Sequence, residues 1–428
     1  VIIRALTPDF TWDQYDDLAS RAFGPAPESL IRPVFEAVVA AGCCLAAFDG
    51  DRLAGTAFYL DQRQWWYGRP VPMAGVASVM VAPEDRGQGA GRALMTALTG
   101  LMTERGYPLA VLYPATMTIY RSLGWEIAGH RHEAVMPSRA LGSLPRADVK
   151  AAQIRRPDPD DAAEVLAVID RAHAQARDCG PVGWDEATMR RWLTRPGSYA
   201  DRDRYAYLAP DGFLAYHWRR GHDEVFVDRL VASTAETTAA LWAVVASNAS
   251  VADTVRAVVG PSDPLWWMLR EQDANIAERE SWMLRLLDAP AAIAARGFPA
   301  TDLAVPLLLA DDLRPANAGR WDLTVRSGRG SLTRHRTGLV HAPATSASPS
   351  GQQSGQQSGQ QSGQESGPHS GQPGGPALEL GARGLAALYA GTPVATLRRA
   401  GLAAGGSPAA DAALDAAFAA IPYMLDEF

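Results

Sequence analysis

Lysine is almost missing from this chain: Lys150 stands alone against 39 arginines, which together with abundant alanine and glycine is the mark of a GC-rich genome. Cysteine is scarce too. Cys43 and Cys44 are adjacent, a spacing that rarely pairs, and Cys179 leaves no second partner, so no disulfide framework is predicted and a reducing, cytoplasmic setting fits. No Cys/His cluster has zinc spacing, and His130-x-His132 reads as one face of a strand, so no metal is predicted. No run of about 18 apolar residues exists, which excludes a helical membrane span. The opening stretch VIIRALTPDFTWDQYDDL has no basic region followed by an apolar core, so no signal peptide is predicted. A positive excess is lacking as well. The net charge of −7 argues against nucleic acid as a partner and favours small cationic ligands.

What is present is a globular composition, 47% apolar and 20% charged, over 428 residues, enough for two or three domains with real cores. The most informative stretch is Gly75 to Met95, GVASVMVAPEDRGQGAGRALM. A β-branched run ends at Val81, turns at Ala82-Pro83, passes Arg86-Gly87-Gln88-Gly89-Ala90-Gly91-Arg92 and continues into a helix-forming run. Backbone N–H groups at a helix start, flanked by glycines and two arginines, suit a phosphate-bearing ligand. A dinucleotide fingerprint needs G-x-G-x-x-G, and a nucleotide-triphosphate loop needs G-K-[ST]; neither is there. On the loop alone, a plain helix N-terminus with permissive glycines remains the alternative. The pattern Arg86-Gly87-Gln88-Gly89-Ala90-Gly91 after a strand resembles the acyl-CoA signature of the GCN5-related N-acetyltransferases (GNATs).

The surrounding order agrees with that resemblance. Val1–Leu6 reads as a strand, Asp16–Ala22 and Glu28–Ala41 as helices, and Cys44–Phe48 with Leu53–Leu60 as a hairpin across Asp49-Gly50-Asp51. A strand from Leu109, a helix carrying Tyr120, and a strand ending near Val135 follow. A weaker copy runs from Ile154 to a strand ending near Ser233 and a helix from Ala235. There the loop reads Ala235-Glu236-Thr237-Thr238-Ala239-Ala240, without glycine and with an acid opposite Arg86, so this copy is predicted not to bind the cofactor. A third region from about Trp282 mixes helices and strands around a Ser-Gly-Gln-rich insertion, 342–375, predicted to be disordered. The fold class is therefore α/β with mixed sheets: tandem GNAT folds over residues 1–148 and 149–283, the second degenerate, then an α/β domain over 284–428.

Taken together, Val79-Met80-Val81-Ala82-Pro83, Ile119-Tyr120-Arg121-Ser122-Leu123-Gly124-Trp125, Val231-Ala232-Ser233-Thr234, Leu284 to Gly297 and the closing Glu427-Phe428 resemble the Eis (enhanced intracellular survival) family of aminoglycoside N-acetyltransferases. The resemblance implies acetyl-CoA as cosubstrate, a sterol-carrier-protein-like third domain and a homohexamer. It implies that Val79, Met80 and Val81 hold the pantetheine arm, that Arg86, Gly87, Gln88, Gly89, Ala90, Gly91 and Arg92 hold the pyrophosphate, and that Ala115 and Thr116 line the far side. Tyr120 would be the general acid and the α-carboxylate of Phe428 the general base, while Phe23, Trp282, Met283, Asp426 and Glu427 would meet a polycationic amine. Where the family carries Ser-Glu this chain has Ala115-Thr116, and Met283 takes the place of a pocket tryptophan beside Trp282. Protein lysines or polyamines are the alternative acceptors. A non-catalytic acyl-CoA- or lipid-binding protein is the reading from another class.

Overall fold

The computed structural model describes all residues except 8, 9, 11, 146, 147, 195–203, 220, 222, 336–374 and 428. The insertion expected to be disordered falls almost wholly outside the described residues, and so does Phe428.

Twelve strands build the large sheet: β1 (Ile2–Ala5), β2 (Cys44–Asp49), β3 (Arg52–Trp66), β4 (Arg69–Val81), β5 (Leu109–Leu112), β6 (Glu126–Pro137), β7 (Cys179–Gly183), β8 (Arg204–Ala209), β9 (Gly212–Arg219), β10 (Glu224–Ala232), β11 (Thr254–Val259) and β12 (Asn275–Leu286). Against it pack α1 (Trp12–Phe23), α2 (Glu28–Ala40), α3 (Ala90–Glu104), α4 (Met117–Ser122), α5 (Ala162–Ala176), α6 (Glu186–Thr194) and α7 (Ala235–Ala246). After the short α8 (Leu265–Met268), the third domain carries α9 (Ala289–Ala295), β13 (Leu303–Ala310), β14 (Gly319–Arg326), β15 (Arg329–Arg334), β16 (Leu378–Gly381), α10 (Ala382–Tyr389), α11 (Val394–Arg399), β17 (Ala403–Gly405) and α12 (Pro408–Phe418). Its own sheet runs β15-β14-β13-β16-β17. The mixed-sheet α/β class read from the sequence is the class found.

The strand order of the large sheet, β1-β2-β3-β4-β5-β12-β6-β11-β10-β9-β8, shows how the two GNAT halves interlock. β12, from the second half, pairs with β5 and β6 of the first, while β6 also pairs with β11 of the second. Each half thus lends a strand to the other, and neither closes its sheet alone. Leu284 to Leu286, assigned by sequence to the start of the third region, are instead the end of β12, paired with β5. The reason is that β12 is apolar there, with Trp282, Met283, Leu284 and Leu286 buried, as a central strand requires. Ile154-Arg155 also departs from its expected strand, forming only a single bridge from Arg155 to Leu208.

The third domain docks on the turn after α4. Glu126 accepts from Arg121 at 2.9 Å and from Arg383 of α10 at 2.7 Å, and Arg285 of β12 donates to the buried Asp311 at 2.6 Å. Arg296 is wholly enclosed, its guanidinium within 5.5 Å of the ring centroids of Trp66, Phe298, Tyr389 and Phe418. Such cation–π contacts replace part of the hydration that burial removes.

Candidate active site

β4 and β5 lie parallel but pair over only three positions, Met73↔Leu109, Ala74↔Ala110 and Gly75↔Val111. Beyond Gly75 the strands part, and the β5 side of Val79, Met80 and Val81 has no strand partner among the described residues. On its other edge β4 is bulged: Thr56 faces Met80 and Phe58 faces Ala77, so Ser78 and Val79 both lie opposite Ala57. Ser78 has φ of +53°, which costs a non-glycine residue about 1–2 kcal/mol. Two contacts hold it there. Tyr15 Oη lies 2.7 Å from Ser78 Oγ, and Thr56 Oγ1 donates to the Ser78 carbonyl at 3.4 Å. Burial raises the Tyr15 phenol to about 12, so it stays a neutral partner. The bulge turns the strand's backbone where the two strands separate.

A one-turn segment, Pro83–Asp85, leads from β4 into the glycine loop. Gly87 and Gly89 take φ of +80° and +88°, yet a Cβ at either would meet nothing within 4 Å. Backbone conformation, and not crowding, calls for glycine at both. Gly91 differs: a Cβ there would sit 3.3 Å from Ile119 and 3.5 Å from Val81, so this glycine seats α3 against α4 and β4. Gly89 caps α3 without a side-chain bond, and Ala93 N–H, bonded to the Gly89 carbonyl, is the first to find the α-helical pattern. The N–H groups before it point outward at the positive end of the helix. The acids preceding the loop are neutralised, Glu84 by Arg21 at 3.0 Å and Asp85 by Arg52 at 2.7 Å. Arg52 holds the Asp85 carboxyl below its usual value, while its own backbone N–H and Arg21 do the same for Glu84. Exposed Arg86 and Arg92 face no carboxylate among the described residues; Arg86 donates only to the Val81 carbonyl, at 3.3 Å. Gln88 donates to the Glu84 carbonyl at 3.2 Å.

Tyr120 lies in the last turns of α4, its ring edge-on to Trp125 at 6.3 Å. It is 5% exposed, its hydroxyl makes no hydrogen bond to a described residue, and burial raises the phenol to about 12. The proton is therefore held and uncommitted. Ala115 and Thr116 are exposed in the link from β5 to α4.

The closing segment, residues 421–427, runs along the junction of both GNAT halves. Tyr423 N–H bonds the Cys179 carbonyl at 3.0 Å and Met424 N–H the His130 carbonyl at 3.2 Å. Asp426 forms an ion pair with Arg229, both nearly buried, and its carbonyl accepts from Tyr113 Oη at 2.6 Å. Glu427 is half exposed, 3.2 Å from Arg131, which Glu133 also approaches at 2.8 Å. Burial, with the neighbouring Glu427 next, raises the Glu280 carboxyl. Of the residues expected to meet substrate, Glu427 and Phe23 are thus accessible; Phe23, at the end of α1, is 61% exposed. Asp426 is committed to Arg229. Trp282 and Met283 are wholly buried and present no surface to a ligand: Trp282 packs on Gly129 and edge-on to Trp66, and Met283 lies in the first domain's core. Ser78, Tyr15, Tyr113 and Arg229 were not anticipated, because a bulge and a contact spanning 313 positions leave no local spacing to read.

A bulged strand that parts from its parallel neighbour, followed by a capless glycine turn into a helix, defines the acyl-CoA-binding architecture of a GNAT acetyltransferase. Family comparison agrees. Residues 3–128 and 180–286 each match an acetyltransferase (GNAT) domain model, and residues 289–425 match a sterol carrier protein domain model. N-acetyltransferase Eis of Mycobacterium tuberculosis is 30% identical over 302 residues, covering 66% of this chain and 71% of that protein. A crystal structure of a GCN5-related N-acetyltransferase from Kribbella flavida superposes with a TM-score of 0.84 at 39% identity, covering 100% of this chain and 98% of that one. That of Eis1 from Mycobacterium abscessus, with a TM-score of 0.75 at 23% identity and full coverage of both chains, shares the fold. The chain belongs to the Eis family of GNAT N-acetyltransferases, with two GNAT domains and a sterol-carrier-like third domain. Membership implies an acyl-CoA cosubstrate and an amine acceptor. No described helix is long and apolar enough to cross a membrane.

Proposed function

We propose that the chain transfers an acetyl group from acetyl-CoA to amines of polycationic substrates, aminoglycosides in the first place, by direct transfer without a covalent enzyme intermediate. The observation that carries this reading is the β4–β5 opening with the glycine loop at its end; Tyr120 is buried in the same core as Met80 of β4 and Leu112 of β5. The residues fit the cosubstrate: a backbone edge at Val79 to Val81 with no strand partner on its β5 side, left-handed glycines at 87 and 89, and two cations paired with no acid among the described residues. When bound, acetyl-CoA supplies an acetyl group already activated as a thioester. Backbone N–H groups at Val79 to Val81 would orient it and polarise its carbonyl. The loop from Arg86 to Arg92 would take the pyrophosphate. Tyr120, protonated throughout the working range, would give its proton to the departing sulfur. The Phe428 carboxylate, a weak base near 3.5 in water, would need desolvation or a bridging water to accept the amine proton. Glu427 would draw in the cationic amine.

A thiol-release assay with acetyl-CoA against kanamycin-like aminoglycosides, polyamines and lysine peptides tests the reading. Thiol release with aminoglycosides is expected. Release with peptides or polyamines alone would move the acceptor class, and none with any amine would leave the binding-protein reading standing. The homohexamer of the family belongs to the same proposal and is read by light scattering.

A further inference from the structure

The bulge of β4 holds a residue in a conformation that residue resists. Where a bulge has a left-handed residue, glycine ordinarily supplies it; here it is Ser78, at φ of +53°. The second domain shows that a bulge at such an opening does not require this. β10 and β11 pair in parallel from Glu224↔Thr254 to Val227↔Ala257 and then part, as β4 and β5 do, and β10 is bulged against β9 between Val227 and Arg229. No residue of β10 has a positive φ, and Leu425 packs there with Phe226 of β10 and Val258 of β11. The left-handed backbone therefore belongs to the first domain's strand alone, immediately before the Val79 to Val81 edge.

What serine has and glycine lacks is a hydroxyl, and Tyr15 Oη meets it at 2.7 Å. Tyr15 is 2% exposed, and its ring centroid lies 4.0 Å from that of Phe35 and 5.3 Å from that of Trp12, so α1 and α2 together fix where the phenol points. Thr56, wholly buried on the facing strand, holds the Ser78 carbonyl. Ser78 is thus tied by its side chain and by its main chain. We infer that Tyr15 is a positioning residue for acetyl transfer, acting through Ser78 to aim the Val79 to Val81 backbone at the thioester carbonyl. The inference rests on the reading that those N–H groups polarise the thioester. Without the phenol, Ser78 can relax to negative φ and swing the peptide planes that follow it. A misplacement of about 1 Å can cost roughly 10²-fold in rate. Glycine at this position accepts either sign of φ and needs no such hold.

The test compares Tyr15→Phe, Ser78→Ala, Ser78→Gly and the Tyr15→Phe/Ser78→Gly pair in the full chain. It measures kcat, the acetyl-CoA dissociation constant and the infrared band of an isotope-labelled thioester carbonyl when bound. In the parent chain the band should move to lower frequency on binding. Tyr15→Phe and Ser78→Ala should each return it toward its free position and lower kcat by about fivefold to 10²-fold, with cofactor affinity within about twofold. Ser78→Gly should keep turnover, and adding Tyr15→Phe to it should cost nothing further. A Tyr15→Phe loss that is as large in the Ser78→Gly chain would overturn the route through Ser78. Wild-type turnover and an unchanged band in Tyr15→Phe would overturn the positioning role outright. Should Tyr15→Phe fail to fold, Ser78→Ala against Ser78→Gly carries the test, and equal turnover in those two would overturn the inference. A band that does not move in the parent chain would remove the Val79 to Val81 reading, and this inference with it.

Discussion

The two GNAT domains of this chain share a backbone plan and differ in what occupies it. Both have a bulged strand that parts from a parallel neighbour and leads to a helix. At the first, the helix start is bare: Gly89 offers no capping side chain, and Arg86 and Arg92 pair with no acid among the described residues. At the second, α7 caps itself. Thr234 Oγ1 accepts from Thr237 N–H at 3.3 Å, both threonine hydroxyls donate to Asp211, and Glu236 sits in the first turn. One capping hydroxyl and two acids, Asp211 and Glu236, stand at this helix start where the first domain has two arginines. The first domain's strand opening has no described strand between its edges, whereas the second's is plugged by Leu425 and Asp426. One backbone plan thus carries a bare helix start in the first domain and a capped one in the second, where another part of the same chain sits between the parted strands.

The largest effect that would sharpen this comparison is expected at Tyr120. Tyr120→Phe removes the proton but keeps the ring on Trp125, so kcat should fall by about 10²–10⁴-fold with acetyl-CoA affinity hardly changed. An equal loss in affinity would mean a packing role. The pH profile gives a companion test. Burial raises the phenol to about 12, favouring its neutral form, so its proton remains available as pH climbs and goes only as pH rises through the folded value. No alkaline fall in kcat attributable to Tyr120 should therefore occur below about pH 10, the ordinary tyrosine value; a fall near pH 8 would give the acid role to another group.

A smaller effect is expected at Gly89. Gly89→Ala has room for its Cβ and loses only the left-handed backbone, worth about 1 kcal/mol, or roughly fivefold in acetyl-CoA affinity. Smallest of all is the change from Glu236→Arg. Restoring the cation in the second domain should create no second cofactor site, since the helix start stays self-capped and the opening stays filled; a second equivalent of acetyl-CoA bound per chain would break the comparison.

Much of this was legible in the residues. The hairpin across Asp49-Gly50-Asp51, the helix after Gly91 and the degenerate loop at Ala235 all rest on local spacing, and local spacing is what sequence displays. Two kinds of feature were not. The Tyr67-Gly68 turn joins a 15-residue β3 to β4, both turn residues with positive φ, but a tyrosine in that conformation gives no turn signal comparable to Asn-Gly. The strand exchange of β6 and β12, the grip of Arg229 on Asp426, and the burial of Trp282 depend on contacts between distant segments, which no periodicity encodes. Asp426, expected to meet substrate, is instead tied to Arg229, a partner 197 positions away that local spacing does not show.

Calorimetric titration of the full chain with acetyl-CoA tests the central claim, that one opening serves the chain and the other is filled. The account predicts one equivalent bound per chain, with affinity weakened by Arg86→Glu and untouched by Glu236→Arg. Two equivalents per chain, or binding indifferent to Arg86→Glu, would contradict it.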